Sequence, residues 1–282
     1  MEKRPTRLRR APLVHVLAQV AFPPIPEWAD RVASLGAGFH EAGFPISQPS
    51  RREEDVVEVK NGGVPPDVQH QTIHVASFLD RDQRFAFQLW NSSLVLHTTA
   101  YQSFGHFAGM LQSGLQVLRA VMGPQSVHRI GLRYVDLVQA HDGENLSEYV
   151  TPGVMGFPFK ALPDLAIKGV AINSHAVGLT QHGALAVRTL TLPPGQFLPP
   201  DLETGGLRVP AHADPSRAGL AVDFDHYSVF AGNGVESSQP IPFDVADICQ
   251  RVTELHAGLK LAFLAAVTDA ALERWGGWED VQ

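Results

Sequence analysis

What this chain lacks narrows its chemistry before anything else does. It has one cysteine, Cys249, so it can form no internal disulfide and no site built from several thiolates. Carboxylates outnumber basic side chains 29 to 22, and the formal charge of −7 gives no general attraction to nucleic acid or an anionic membrane. No apolar run reaches the roughly 20 residues that a membrane-spanning helix needs. The opening basic residues Lys3, Arg4, Arg7, Arg9 and Arg10 meet Pro23-Pro24 before any long apolar core, unlike a secretory leader. The expectation is a soluble cytoplasmic protein without membrane contact, beginning with a flexible basic arm over residues 1–12.

Catalytic signatures are equally scarce. There is no Gly-x-Ser-x-Gly, no phosphate-cradling loop ending in lysine and no helical His-Glu-x-x-His. Gly105-His106-Phe107-Ala108-Gly109 lies within a helical pattern and lacks dinucleotide-binding spacing. Histidine is abundant, with 13 in the chain, but His70/His74 and His175/His182 have no flanking carboxylates to complete a metal site. Neither a metal nor another cofactor is expected. Cys249 falls in the apolar stripe Val245, Ile248, Val252 and reads as a small buried hydrophobe.

What is present is globular: 282 residues, 44% of them hydrophobic, enough to bury a core. Residues 13–20 form a β-rich run closed by Phe22-Pro23-Pro24. Trp28, Val32, Leu35 and Phe39 follow at helical spacing and stop at Gly43 and Pro45. Arg51-Arg52-Glu53-Glu54-Asp55 reads as a charged turn into a strand at 56–59, and residues 61–66 read as a loop. Ile73, Val75 and Phe78 mark another strand. Residues 85–90 and 94–99 are joined by Asn91-Ser92-Ser93, a separation that points to an antiparallel hairpin. Phe104, Phe107, Leu111, Leu115 and Leu118 then form a helical stripe ended by Gly123-Pro124, and a strand runs from 127 to 138.

Beyond it come a loop-rich passage over 140–168 and strands at 170–172, 185–190 and 220–224. Residues 193–215, rich in proline and glycine, read as a long surface loop of a kind uncommon unless it binds something or moves. Val245, Ile248, Val252, Leu255, Leu259, Phe263 and Val267 make a second long stripe with Asp244 as its N-cap. A short helix from Asp269 to Trp275 follows. The chain divides into halves at 13–139 and 140–282, each with three β-rich runs and then a long helix. This predicts an α+β protein, antiparallel sheet packed by long helices, possibly as two pseudo-repeated halves around one continuous core.

The strand at 129–136 carries the densest polar cluster. Alternation puts Ile130, Leu132, Tyr134 and Asp136 on one face and Arg129, Gly131, Arg133 and Val135 on the other. Two arginines flanking a glycine suit a carboxylate or phosphate; they equally suit acidic residues of a neighbouring strand. Arg129, Arg133, Tyr134 and Asp136 are therefore the candidate ligand-binding residues. His97, His106 and His128 are the acid–base candidates, because two of them flank Tyr101 at a strand-to-helix turn. Asp223 and Asp225 share a strand face, as exposed edge charges often do. Phe85, Phe87 and Trp90 beside basic residues resemble an RNA-stacking surface, but their aliphatic neighbours favour a core.

Four of these segments also resemble a sporadically distributed bacterial family without an assigned activity. They are Pro12-Leu13-Val14-His15-Val16, the aromatic hairpin at 87–90, the Tyr101-Gln102-Ser103-Phe104-Gly105-His106-Phe107 helix start, and the strand Arg129-Ile130-Gly131-Leu132-Arg133-Tyr134. The resemblance spans most of the chain, is weakest over 140–215, and departs at Asp136, where asparagine is expected. It implies a shared fold and leaves activity open. The function expected is non-catalytic binding of a protein or small anionic ligand in a bacterial accessory system, with nucleic acid disfavoured. The alternatives are a metal-independent RNA-processing enzyme using the histidines, and an enzyme with a cavity between sheet and helix lined by Tyr134 and Asp136.

Overall fold

Alternating apolar and polar residues make strands of most of the chain, and two long apolar stripes supply the helices that cover them. The computed structural model describes residues 7–58, 67–210, 212–230, 239–276 and 278–279. In the first part of the chain these are β1 (Arg7–Leu8), β2 (Leu13–Ala21), α1 (Val32–Glu41), β3 (Ile46–Glu58), β4 (Asp67–Leu79), β5 (Phe85–Trp90), β6 (Ser93–Thr98) and α2 (Phe104–Met122). There follow β7 (Ser126–Val127), β8 (Arg129–Val138), β9 (Asn173–Thr180), β10 (Gly183–Leu192), β11 (Gly219–Val229), β12 (Ile241–Pro242), α3 (Val245–Ala266), α4 (Asp269–Arg274) and β13 (Trp278–Glu279). Among the described residues no helix is long and apolar enough to cross a membrane.

Nine strands form one sheet in the order β3-β4-β5-β6-β2-β8-β11-β10-β9, and every neighbouring pair is antiparallel. The α+β class holds. In each half the last strand of a meander returns beside the half's first strand: β6 beside β2, and β11 beside β8. A long helix then follows, and the two first strands pair with each other at the centre of the sheet. By strand order β8 groups with β9, β10 and β11, and β2 groups with β3 to β6.

The helices stand on one face. Ser103 caps α2 by accepting a hydrogen bond from the backbone N–H of His106 at 3.3 Å, and Gly123 ends it in the left-handed region at φ +62. Asp244 caps α3 by accepting from the Asp247 N–H at 2.9 Å. Phe107, Leu111, Leu115 and Leu118 of α2, with Ile248, Val252, Leu255 and Leu259 of α3, share a core with Val16, Val20, Phe87, Ile130, Leu132 and Phe224 of the sheet. Phe85 and Phe87 belong to that core, which removes them from any stacking surface. At Gly114 a Cβ would lie 2.3 Å from the Phe87 ring, so the missing side chain is what lets α2 rest on β5.

Three local expectations change, and a fourth falls outside the described residues. Residues 51–55 are not a turn; they continue β3, paired in register with β4 from Arg51↔His74 to Asp55↔His70. The loop expected at 61–66 lies outside the described residues. The strand expected at 170–172 lies further on, as β9 over Asn173–Thr180. Within the arm expected to be flexible, Arg7 and Leu8 pair with Glu279 and Trp278, and the Arg10 N–H donates to the Trp275 carbonyl at 2.9 Å. Leu8 is buried, so apolar contact outweighs the mobility its basic neighbours suggest.

The described residues of 193–215 form the expected surface loop without regular structure, and it lies as a strap across the sheet face opposite the helices. Leu198 packs with Val14, Val135, Leu137 and Ala221, and Leu207 with Leu79 and Ala86. The Arg208 N–H donates to the Gln83 carbonyl at 2.9 Å, and the Thr99 hydroxyl donates to the Arg208 carbonyl at 2.7 Å. At Gly205 the backbone is left-handed (φ +57) and a Cβ would lie 2.2 Å from Gln88 Nε2 and 2.8 Å from the His97 ring, so a side chain there would be strained and would displace both.

Candidate functional site

The strap face of β8 is a closed charge network. Arg133 donates from Nε to Asp223 Oδ1 at 2.7 Å and from Nη2 to Asp223 Oδ2 at 2.7 Å, a bidentate pair. Its Nη2 also reaches Asp201 Oδ2 of the strap at 3.0 Å. Arg188 of β10 approaches the same two carboxylates from the other side, at 2.6 Å to Asp223 and 2.7 Å to Asp201. Burial alone would lower the Arg133 pKa, but the hydrogen bonds and charges of Asp223 and Asp201 carry it well above its usual value. Burial would likewise raise the Asp201 carboxyl, and Arg133 with Arg188 instead hold it below its usual range.

Arg129 extends the network. It donates to Gln19 Oε1 and, at 3.2 Å, to Asp225 Oδ2, and its guanidinium lies 4.7 Å from the centre of the Tyr227 ring. A Cβ at Gly131 would sit 2.7 Å from Arg129 Nη1. The glycine between the arginines thus makes room for a guanidinium lying across the strand, not for a ligand approaching the backbone. Burial raises the Asp225 carboxyl, an effect that Arg129 and Arg133 temper. Asp223 is not an exposed edge charge; it is 4% exposed at the centre of the network. Three guanidinium groups, from Arg129, Arg133 and Arg188, meet three carboxylates, from Asp201, Asp223 and Asp225, and neutralise within the fold.

Tyr134 and Asp136 face the helices, so the four candidate ligand residues are split between two sides of the sheet. The Tyr134 hydroxyl lies 3.1 Å from that of Tyr101 and 2.9 Å from His256 Nδ1. Phe104 stacks on the His256 ring with centroids 4.0 Å apart. Burial and then Tyr101 raise the Tyr134 phenol well above its ordinary value, while burial and then Lys260 lower His256 to about 4. The Tyr134 phenol and the neutral His256 imidazole, with Tyr101, make a half-buried hydrogen-bonded cluster packed against the core. Asp136, opposite Leu13 and Val222, is pushed up to about 8 by burial and then by Asp223. It is 4% exposed and out of a substrate's reach.

The three acid–base candidates do not converge. His106 is exposed on α2 with its ring against Phe85, and His128 is half-buried at the entrance to β8. His97 is buried on the strap face, where it meets a residue that sequence reasoning passed over: His15 Nε2 lies 3.4 Å from His97 Nδ1. Their outer nitrogens, His15 Nδ1 and His97 Nε2, have no hydrogen-bond partner. In either tautomer of the pair, one N–H and one lone pair are left idle. Burial first, then Arg133, lowers His15 to about 4; burial first, then His15, lowers His97 to about 3. Arg188, Asp201 and His256 were missed as well, and only a charged residue inside the apolar run 185–190 signalled any of them.

Beside His97, a cavity of about 550 Å³ opens between sheet and strap, lined by Gln48, Ser77, Gln88 and residues 203–206. The three sheet residues lie in one transverse register line across β3, β4 and β5. This space is on the face opposite the expected sheet–helix cavity and offers amide and hydroxyl groups. Among the described residues, no three of His, Cys, Asp and Glu are grouped to hold a metal ion. No family model matches the chain, and no curated protein matches it.

At the other end of the same face the sheet is bare. β9 is exposed almost throughout, with Leu179 at 91% and Val177 at 54%. Of the eleven exposed large hydrophobic residues described, eight fall within 157–179: Phe157, Phe159, Leu162, Leu165, Ile167, Val170, Val177 and Leu179. Such a concentration differs from the scattered apolar residues of an ordinary surface.

Two outcomes follow for the buried groups. Arg133→Ala leaves Asp223 with only Arg188, and urea unfolding should show a loss on the order of 3 kcal/mol; a loss below about 1 kcal/mol, as for a surface pair, would contradict the buried-clamp account. The second outcome concerns pH. Folding lowers the pKa of His15 and His97, so their contribution is present above their ordinary value and is lost as pH falls through about 4 and about 3. Folding raises that of Asp136, whose contribution is present below the ordinary carboxyl range and is lost as pH rises through about 8. Thermal midpoints of His15→Leu/His97→Leu should therefore gain on the wild type as pH falls below about 6.5, and those of Asp136→Asn should gain as pH rises toward about 8. Parallel curves for all three proteins would refute these assignments.

Proposed function

We propose that this chain is a non-catalytic interaction protein of the bacterial cytoplasm and a member of the family that its Arg-Ile-Gly-Leu-Arg-Tyr strand resembles. It recognises a polypeptide by adding an extended strand to β9, with the apolar excursion at 157–170 as a flanking surface. The observation that carries this reading is the exposed edge strand beside eight exposed hydrophobic residues within 157–179. The internal neutralisation of Arg129, Arg133 and Arg188 argues against an anionic ligand on β8, and the absence of convergence among His97, His106 and His128 argues against acid–base chemistry.

Strand addition supplies affinity through main-chain hydrogen bonds and specificity through alternate side chains. Val177 and Leu179 stand on the strap face of β9, opposite Ala186 and Ala184 of β10. A partner segment would set apolar residues at every second position against them. Selection from a random peptide library on sparsely immobilised protein should enrich peptides with that alternation. Their binding should weaken roughly tenfold or more on Val177→Lys/Leu179→Lys, since lysine on an edge opposes pairing. Enriched peptides indifferent to the double variant would overturn the reading.

A further inference from the structure

We propose that the strand β9 accepts is β9 of a second copy of this chain, giving a two-fold dimer with a continuous sheet. This rests on the reading that β9 is the docking edge and names its occupant. The sheet's two edges differ. β3 has the sequence ISQPSRREEDVVE, with a proline that has no N–H to donate and five consecutive charged residues. β9 has the sequence NSHAVGLT, with no proline and no Asp, Glu, Lys or Arg. Edge strands are ordinarily blunted by charge, proline, a bulge or a covering segment. One edge of this sheet has such protection in its sequence, and the other does not.

That asymmetry selects among assemblies. Pairing β9 with β3 of another copy would be head-to-tail and would leave a fresh β9 at each step, so the chain of copies would grow. Pairing β9 with β9 uses the unprotected edge of both copies and leaves the two charged β3 edges outermost, so assembly stops at two. A strand without Asp, Glu, Lys or Arg also brings no formal charge of one sign against its own copy.

The side chains fit the same arrangement. His175, Val177 and Leu179 face the strap side, and Ser174, Ala176, Gly178 and Thr180 face the helix side, following their β10 partners. A two-fold axis perpendicular to the sheet, passing midway between the two copies of Val177, keeps each face continuous between copies. Val177 then meets the partner subunit's Val177, and Leu179 meets the partner subunit's His175. On the helix side only small residues meet, Ala176 with the partner subunit's Gly178. Antiparallel pairing also carries the excursion at 157–170, which leads into Asn173, toward the partner's β9–β10 turn. Both exposed elements of the second half are engaged by one symmetric contact.

Sedimentation of the full chain across a wide concentration range, and oxidative cross-linking of Val177→Cys in a Cys249→Ser background, test the dimer. The expected results are a species of twice the chain mass, a disulfide-linked dimer through position 177, and association weakened at least roughly tenfold by Val177→Lys/Leu179→Lys. These positions are exposed, and an unchanged circular dichroism spectrum and melt would show that the variant folds. A wild type that stays monomeric at the highest concentration, or a dimer that ignores the lysines and fails to cross-link, would overturn the proposal. A monomer whose selected peptides are still lost on the double variant would reject the second copy while retaining strand addition; loss of both results would reject both.

Discussion

The bidentate contact between Arg133 and Asp223 is the constraint on which the rest of the strap face depends. It joins the two strands on one side of the centre, β8 and β11, and through Asp201 it reaches a segment that has no regular structure of its own. A buried ion pair adds little net stability over an apolar substitute, but removing one member leaves an uncompensated charge. Such a pair therefore specifies where the strap lies more than it strengthens the fold. Arg188 shares both carboxylates, and Arg129 with Asp225 continues the charge alternation toward the open end of the face.

With the charges spent internally, the two faces of the sheet have different roles. The helix face is core, with Tyr101, Tyr134 and His256 bonded to one another within it. The strap face is closed over its middle and bare toward β9. His15 and His97 are buried and His256 is half-buried, and burial lowers each pKa to about 4 or below, so all three are neutral imidazoles near neutrality. Among the described groups open to another molecule are the main chain of β9, its two apolar side chains, the excursion that precedes it, and the cavity lined by Gln48, Ser77 and Gln88.

Much of the fold was legible in the sequence because its signals are local. The stripes of α2 and α3, the Asp244 cap, the 85–99 hairpin and the alternation along 129–136 each depend on residues a few positions apart. The site was less legible because its partners are distant: Asp223 and Asp201 lie 90 and 68 residues from Arg133, and His97 lies 82 from His15. The strap is legible as a surface loop from its proline and glycine, but these report backbone conformation, not that Leu198 and Leu207 cover a sheet. β9 was misplaced for a separate reason. An exposed edge strand buries no face, so Asn173–Thr180 lacks the contrast that identifies β2 or β8.

The most direct measurement of the central claim is amide hydrogen exchange along β9, compared between dilute and concentrated protein. A free edge leaves alternate amides of residues 173–180 open to solvent, whereas an added strand protects them. The account predicts protection of β9 that grows with concentration while the β3 edge stays unchanged. Exchange in β9 that is fast and independent of concentration, or protection that rises equally at β3, would contradict it.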